Sequence, residues 1–136
     1  MTIDASPATR AHGTHDAADE GAIRATIDDY YLGWYDADGE RMARALHPAL
    51  AKRGWNRVED VDPSIEEDTF SSMVEGAAAG HGRRSDGAAR RFTVDVNDVY
   101  GDIATAVVHA VPYVDYLHLI RTADGWRIVN ALWCPR

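Results

Sequence analysis

The sequence predicts an α+β domain in which helices come first and a strongly curved antiparallel sheet follows them. Its first part, over residues 19–77, repeats apolar side chains at helical spacing. Its second part, from Arg91 onward, is rich in Val, Ile, Tyr and Thr at a period of two, which is typical of strands. At 136 residues the chain is long enough to bury one core without disulfides or a metal.

The first 18 residues are predicted to form a flexible leader, and residues 19–136 the folded domain. The leader is rich in Ala, Asp, Thr and His and shows no apolar period. It lacks the basic start and apolar stretch of a secretory signal, and Cys134 has no cysteine partner, so we expect a cytoplasmic protein. His12 and His15 have no further ligands at fixed spacing, and no metal site is predicted.

Two helices are predicted in the first third of the chain. The first runs from Asp19 to the segment Asp36-Ala37-Asp38-Gly39, where the apolar pattern stops. The second starts there with an aspartate cap and runs through Leu46, because Pro48 disfavours helical geometry at His47. The apolar stripe of the first helix comprises Ile23, Ile27, Tyr30, Tyr31 and Trp34.

A third helix is predicted after a loop that carries Trp55. The segment Asp62-Pro63-Ser64 offers an N-cap followed by proline at the first helical position. Gly80, Gly82 and Gly87 mark the end of this helix and a mobile connection to the strands. Its apolar stripe comprises Ile65, Phe70, Met73, Val74 and Ala77.

Four strands joined by hairpins are predicted in the second half. Turn residues at Tyr100-Gly101-Asp102 and Ala123-Asp124-Gly125 separate them, and Pro112 marks a kink or an edge position. The predicted strands cover residues 91–99, 103–111, 113–122 and 126–134. A strongly bent sheet of this kind can fold over the helices and leave a conical cavity.

Three segments of the chain, taken in order, carry a family resemblance. They are Tyr30-Tyr31-Leu32-Gly33-Trp34-Tyr35-Asp36-Ala37-Asp38 with Ala45-Leu46-His47-Pro48, then Tyr113-Val114-Asp115-Tyr116-Leu117-His118-Leu119, then Asp124-Gly125-Trp126-Arg127-Ile128-Val129-Asn130. Together they resemble the "Putative lumazine-binding" branch of the NTF2-like (SnoaL-like) superfamily. The resemblance covers roughly residues 20–134 and implies an NTF2-like cone with a small-molecule pocket. It does not identify the occupant, because NTF2-like relatives include isomerases, dehydratases, cyclases, epoxide hydrolases and binding modules.

Charge and motif content argue against several classes of partner. The chain carries 14 Lys and Arg against 22 Asp and Glu, a net charge of −8, which opposes binding to nucleic acid. No apolar run approaches the roughly 18 residues of a membrane-spanning helix. The sequence also lacks a glycine-rich phosphate loop, a zinc-spaced Cys/His set and a nucleophile elbow, so no cofactor is predicted.

Asp115 and His118 are the main candidates for proton transfer. Strict alternation places Asp115 among apolar residues on one face of the third predicted strand and His118 on the other face. On a concave face, burial would raise the pKa of Asp115 into the range where a carboxyl exchanges protons near neutral pH. The alternatives are that Asp115 only anchors the sheet, and that His118 is a packed or dimer-face histidine.

Further polar and aromatic residues are candidates for ligand contact. His47 stands at a predicted helix end, where an imidazole either caps carbonyls or faces a ligand as a third catalytic candidate. Asn130 is placed by alternation with Trp126, Ile128 and Leu132, where its amide either bonds the protein or orients a ligand. The aromatic candidates, which either wall a ligand or belong to the core, are Tyr31, Trp34, Trp55 and Tyr113.

Three functions are compatible with these residues. The first is a cofactor-independent acid/base enzyme, such as an isomerase or dehydratase, acting on a small apolar or aromatic substrate. The second is a non-catalytic module that binds a small molecule. The third is an interaction module, because both faces of the strand over 103–111 are rather apolar. A homodimer through the convex face of the sheet is therefore predicted.

Overall fold

The computed structural model describes residues 16–57 and 60–136, which form three helices and six strands. Most of the predicted leader, with His12 and His15, lies outside the described residues. The helices are α1 (Ala17–Tyr35), α2 (Gly39–Ala45) and α3 (Phe70–Ala78). The strands are β1 (Leu46–Asn56), β2 (Ser64–Asp68), β3 (Phe92–Tyr100), β4 (Ile103–Ala110), β5 (Tyr113–Thr122) and β6 (Gly125–Pro135).

Helix α1 confirms the first amphipathic helix and begins two residues earlier than predicted. Asp16 caps it, since its side chain accepts a hydrogen bond from the backbone N–H of Ala18 at 2.8 Å. The buried face of α1 carries three tyrosines as well as isoleucines, so the helix brings polar hydroxyls into the core. These buried residues include Ile23, Ile27, Tyr30, Tyr31 and Tyr35.

Helix α2 has the predicted aspartate cap, which is Asp38, but it ends at Ala45 and the chain continues directly into β1. The predicted loop around Trp55 is therefore wrong, because Trp55 lies within β1. Strand β1 is held by pairing on both sides, parallel to β6 and antiparallel to β2. Pro48 falls where the pairing with β6 is interrupted, so its missing N–H costs no ladder hydrogen bond.

The predicted start of the third helix at Asp62-Pro63-Ser64 is also wrong. Ser64–Asp68 form the edge strand β2, which pairs with β1, and Ile65 lies 63% exposed instead of facing the core. Helix α3 begins at Phe70, where the side chains of Thr69 and Ser72 form a capping box. Local propensity favoured helix here, and pairing with β1 overrides it.

The sheet has the strand order β2-β1-β6-β5-β4-β3. The ends of its last four strands lie within one residue of the predicted ends, and these strands pair antiparallel, whereas β1 and β6 are parallel. Helix α1 contacts both β6 and β3, between which two other strands lie in the sheet. The sheet therefore curves around α1, as the predicted α+β cone requires.

A bulge in β6 changes which residues face the helices. The register of β5 and β6 shifts at Val129, so that Ile128 pairs with Leu119 while Asn130 pairs with His118. Ala131 is consequently buried and Asn130 is exposed. The predicted alignment of Asn130 with Trp126 and Ile128 on one face is wrong, because strict alternation does not allow for the extra residue.

Each helix in the part of the chain that the structure describes is too short or too polar to span a bilayer.

Candidate functional site

A small cavity lies inside the fold between α1, α3, β1 and β5. It has room for about one water molecule, at about 10 Å³ of free volume. Its wall is largely aromatic, with one carboxyl and one amine among the rings. The lining residues are Tyr30, Tyr31, Trp34, Lys52, Met73, Tyr113 and Asp115.

Asp115 is the carboxyl of this cavity and is only 1% exposed. Strand β5 places it on the inner face, and the Tyr31 hydroxyl donates a hydrogen bond to its Oδ2 atom at 2.8 Å. Its Oδ1 atom is buried and has no hydrogen-bond partner among the described residues. Burial raises the pKa of Asp115, and the Lys52 ammonium and the hydroxyls of Tyr31 and Tyr30 act in the opposite direction.

Lys52 is the amine of the cavity and extends from β1. Its Nζ atom donates a hydrogen bond to the Tyr30 hydroxyl at 2.6 Å and lies 5.1 Å from the centre of the Tyr30 ring. The Trp133 ring is 5.9 Å from the same ammonium. Burial lowers the pKa of Lys52, while the carboxylates of Asp115 and Asp68 act to raise it.

Tyrosines from α1 and β5 surround the carboxyl. Burial raises the pKa of Tyr30, Tyr31 and Tyr113, so their hydroxyls stay protonated and can donate hydrogen bonds at neutral pH. The Tyr31 ring stacks on Phe92 with 4.8 Å between centroids and meets Tyr30 edge-on at 5.3 Å. These contacts hold the Tyr31 hydroxyl in position on Asp115.

Four of the sequence-predicted site residues meet at this cavity. Asp115 and Tyr113 come from β5, and Tyr31 and Trp34 come from α1. Alternation along β5 is regular here, since Asp115, Leu117 and Leu119 are buried while Tyr116 and His118 are exposed. Asp115 and His118 therefore lie on opposite faces of the sheet, as the sequence predicted.

The other four predicted residues do not line the cavity. His118 and Asn130 contact each other on the outer face, with 3.2 Å between Nδ1 and Nδ2, in a surface groove of about 320 Å³. Trp55 also lies on the outer face and is 41% exposed. The Nδ1 atom of His47 accepts a hydrogen bond from the Ala49 backbone at 3.0 Å, a local contact at the start of β1.

Sequence reasoning missed Lys52, Tyr30 and Met73 as cavity residues. Lys52 is the only lysine of the chain, because every other member of the 14 Lys and Arg residues is an arginine. A single lysine among 14 basic residues singles Lys52 out in the sequence. Its place in the cavity was missed because it lies in a segment that the sequence predicted as a loop.

Among the described residues, no group of three or more His, Cys, Asp or Glu side chains is placed to hold a metal ion.

Solved structures similar to this chain share its fold. An NTF2-like protein of unknown function from Methylobacillus flagellatus KT superimposes with a TM-score of 0.68 at 19% identity, covering 90% of this chain and 96% of that one. An NTF-2 like protein of unknown function from Silicibacter pomeroyi DSS-3 gives 0.67 at 14% identity, covering 90% and 100%. A cystatin-like domain of unknown function from Nostoc punctiforme PCC 73102 gives 0.62 at 15% identity, covering 90% and 80%.

These identities are low, so the likeness shows the fold alone. No curated protein matches the sequence. The family model described as "Putative lumazine-binding" matches residues 18–134, from the second residue of α1 almost to the end of β6. The chain therefore belongs to the "Putative lumazine-binding" family and has an NTF2-like α+β fold.

Proposed function

We propose that this chain binds a small apolar or aromatic metabolite in the interior cavity and moves a proton on it through Asp115. The observation that carries the proposal is the state of that carboxyl. It is fully buried, one of its oxygens is held by Tyr31, and the other has no partner among the described residues. A buried carboxyl with an unused oxygen is suited to bond a ligand and to exchange a proton with it.

Proton exchange follows from the environment of Asp115. Its raised pKa leaves the carboxyl a larger protonated fraction near neutral pH than an exposed aspartate has. The Tyr31 hydroxyl fixes the orientation of the group, so that the free oxygen keeps one direction towards the ligand. Isomerisation and dehydration both need a group that gives and takes a proton, and neither needs a cofactor for that step.

Ligand entry requires the wall to move, because the cavity has room for about one water molecule. Trp34 is restrained on one side, since a Cβ atom added at Gly82 would lie 2.2 Å from its indole nitrogen. Met73 on α3 is flexible and adapts to the shape of a ligand more readily than a ring does. We infer that a ligand displaces Met73 first.

Native mass spectrometry of the purified protein, beside a denatured control, tests the proposal. A small molecule retained by the wild type and lost or weakened by about tenfold in Asp115→Asn would support binding at this carboxyl, since a hydrogen bond to a charged or buried group is worth about 1.5–3 kcal/mol. Equal retention by both proteins would contradict it. Asp124→Asn, in the exposed turn before β6, is the matched control.

A non-catalytic binding module is the alternative, and the family description favours it, since it names binding and no reaction. Lumazine itself is a direct probe, because its fluorescence reports binding. A bicyclic ring is larger than the cavity, which has room for about one water molecule, so its binding would require the Met73 wall to move. Recovery of a bound metabolite unchanged after long incubation would favour the binding module, and conversion would favour the enzyme.

We also propose a homodimer through the outer face of the sheet. Large apolar side chains stand exposed there, among them Tyr116 at 59% and Leu132 at 54%. Trp55 extends the same patch across β6 to β1. Contiguous exposed apolar surface of this kind is typical of a face that a partner covers.

Light scattering at micromolar concentration tests the dimer. We expect the wild type to show twice the chain mass of 15.0 kDa and Leu132→Asp to show the chain mass, because a carboxylate in the centre of an apolar interface remains unpaired. Val61→Asp is the control, since Val61 is also an exposed apolar residue, at 63%, but lies outside the sheet. A wild-type monomer would contradict the proposal.

The compartment and the domain limits stay proposals as well. We propose a cytoplasmic protein, which the single Cys134 supports because proteins of oxidising compartments commonly pair their cysteines in disulfides. We propose residues 19–136 as the folded domain, extended at its start by the cap and first turn of α1 from Asp16.

A further inference from the structure

Lys52 is the single lysine in a chain whose other basic side chains are all arginine. Arginine stays charged under all ordinary conditions, whereas an amine can lose its proton and become a nucleophile. The chain therefore places its only side-chain amine in the interior cavity, which the carboxyl of Asp115 also lines.

The surroundings of Lys52 suit a reactive amine better than a structural ion pair. Its Nζ atom bonds the Tyr30 hydroxyl at 2.6 Å, and in the described part of the chain no carboxylate oxygen lies within 4.0 Å of it. The ring faces of Tyr30 and Trp133 favour the charged ammonium and so act against the effect of burial. Burial lowers the pKa of this amine, which increases its neutral fraction at physiological pH.

We propose that Lys52 is a nucleophilic amine that forms a Schiff base with the carbonyl carbon of a small aldehyde or unhindered ketone, with Asp115 carrying the protons. This inference rests on the proposed function, because it uses the same cavity and the same carboxyl. It adds the chemical class of the ligand and a covalent step.

The step balances with the groups present. The lone pair of neutral Nζ attacks the carbonyl carbon, the C–N bond forms, and the carbonyl oxygen takes the proton of the Asp115 carboxyl. The nitrogen then returns a proton to the carboxylate, which gives a carbinolamine and a protonated Asp115. Asp115 protonates the hydroxyl, which leaves as water, and the products are a protonated imine and the Asp115 carboxylate. No oxidant or reductant is consumed.

Imine formation needs both Lys52 and Asp115 at the cavity. Imine formation needs a neutral amine and a proton donor at the same pH, and burial shifts the pKa of Lys52 down and that of Asp115 up. The remaining walls are rings and the Met73 thioether, so a carbonyl compound with a compact apolar or aromatic substituent fits best. Asp68 on β2 pairs with Lys52, and its carboxylate acts to raise the pKa of the amine.

Reductive trapping with acetaldehyde and cyanoborohydride tests the proposal, with intact-mass measurement and peptide mapping as the readout. We expect an ethyl group to form on Lys52 at pH 7 several times faster than on N-acetyl-lysine amide, because a lowered pKa leaves more of the amine neutral. Lys52→Arg keeps the charge and removes the amine, and Lys52→Met covers the case in which the arginine does not fit. Both variants should be labelled only at the chain's α-amine.

Two further outcomes distinguish proton transfer by Asp115 from Schiff-base formation at Lys52. Asp115→Asn should lower the rate of trapping at pH 7 by about tenfold or more, because a general acid contributes at least that much, whereas loss of the carboxylate by itself would leave more of the Lys52 amine neutral. Trapping of wild-type Lys52 no faster than of the model amine would overturn the Schiff-base inference. In that case a metabolite retained in native mass spectrometry and lost in Asp115→Asn would still support the proposed function.

Discussion

Gly33→Ala is expected to lower the free energy of unfolding by about 1–3 kcal/mol, the cost of forcing a methyl group into a tightly packed site. Gly21→Ala, in the same helix, is expected to raise it by up to about 1 kcal/mol, because alanine is the better helix former. Both glycines lie in α1 and neither has a positive φ angle. The difference between the two variants therefore measures close packing alone.

The reason for the contrast is the approach of α2 to α1. A Cβ atom at Gly33 would lie 2.9 Å from the backbone nitrogen of Met42 and 3.2 Å from the carbonyl oxygen of Asp38. Backbone atoms cannot rotate away as a side chain does, so α2 would have to shift. At Gly21 nothing lies within 4 Å of the added Cβ atom.

Urea denaturation of both variants, followed by circular dichroism, gives the two free energies. If Gly33→Ala proves as stable as Gly21→Ala, the close contact between α1 and α2 is not present in solution. The neighbouring Trp34 extends the experiment to the cavity, because a shift of α2 against α1 should also change its fluorescence.

The sequence predicted the fold class and most elements because their patterns are local. The stripe from Ile23 to Trp34 needs only α1, and the turns around Gly101 and Gly125, both with positive φ, fix the hairpins β3–β4 and β5–β6. Strands β1 and β2 were missed because their identity depends on partners far along the chain. The segment Leu46–Asn56 carries a proline, a glycine and basic residues, and it becomes a strand through pairing with β6.

Regular periodicity in β5 and α1 indicated which residues share a face. Asp115, Tyr113, Tyr31 and Trp34 were candidates for ligand contact, with a sheet-anchoring or core role as the alternative, and the structure brings them to one cavity. Lys52 was missed because its strand was missed, and Asn130 was misplaced because a bulge follows no local rule in the sequence. Residues whose position depends on long-range register are the ones that the sequence alone could not place.

The second large effect is expected at Asp115. Its pKa in the folded chain is raised above the 3.8 of the unfolded chain, so the folded state holds this proton more tightly. The free energy of unfolding therefore falls as the pH rises from about 3.8 through the folded pKa, and is constant with respect to this group outside that window. The Asp115→Asn variant has no titrating carboxyl at this position, so its free energy of unfolding does not fall for this reason.

We therefore expect Asp115→Asn to gain stability relative to the wild type by up to about 1.4 kcal/mol for each pH unit across that window. Urea denaturation at steps of half a pH unit or so measures the slope. Asp124→Asn controls for the change in net charge. A difference between Asp115→Asn and the wild type that stays constant from pH 3 upward would contradict a raised pKa.

Tyr31→Phe tests which contacts set the pKa of the Asp115 carboxyl. The Tyr31 hydroxyl donates its hydrogen bond to Oδ2 of Asp115 at 2.8 Å and thereby lowers the carboxyl's pKa against the effect of burial. Its removal should raise the pKa of Asp115 further and extend the pH window of falling stability upward. Lys52→Met should do the same, because the ammonium also favours the carboxylate. If both variants leave the pH window of falling stability unchanged, burial alone sets the pKa of Asp115. The Tyr31 hydroxyl and the Lys52 amine are then available to bond a ligand.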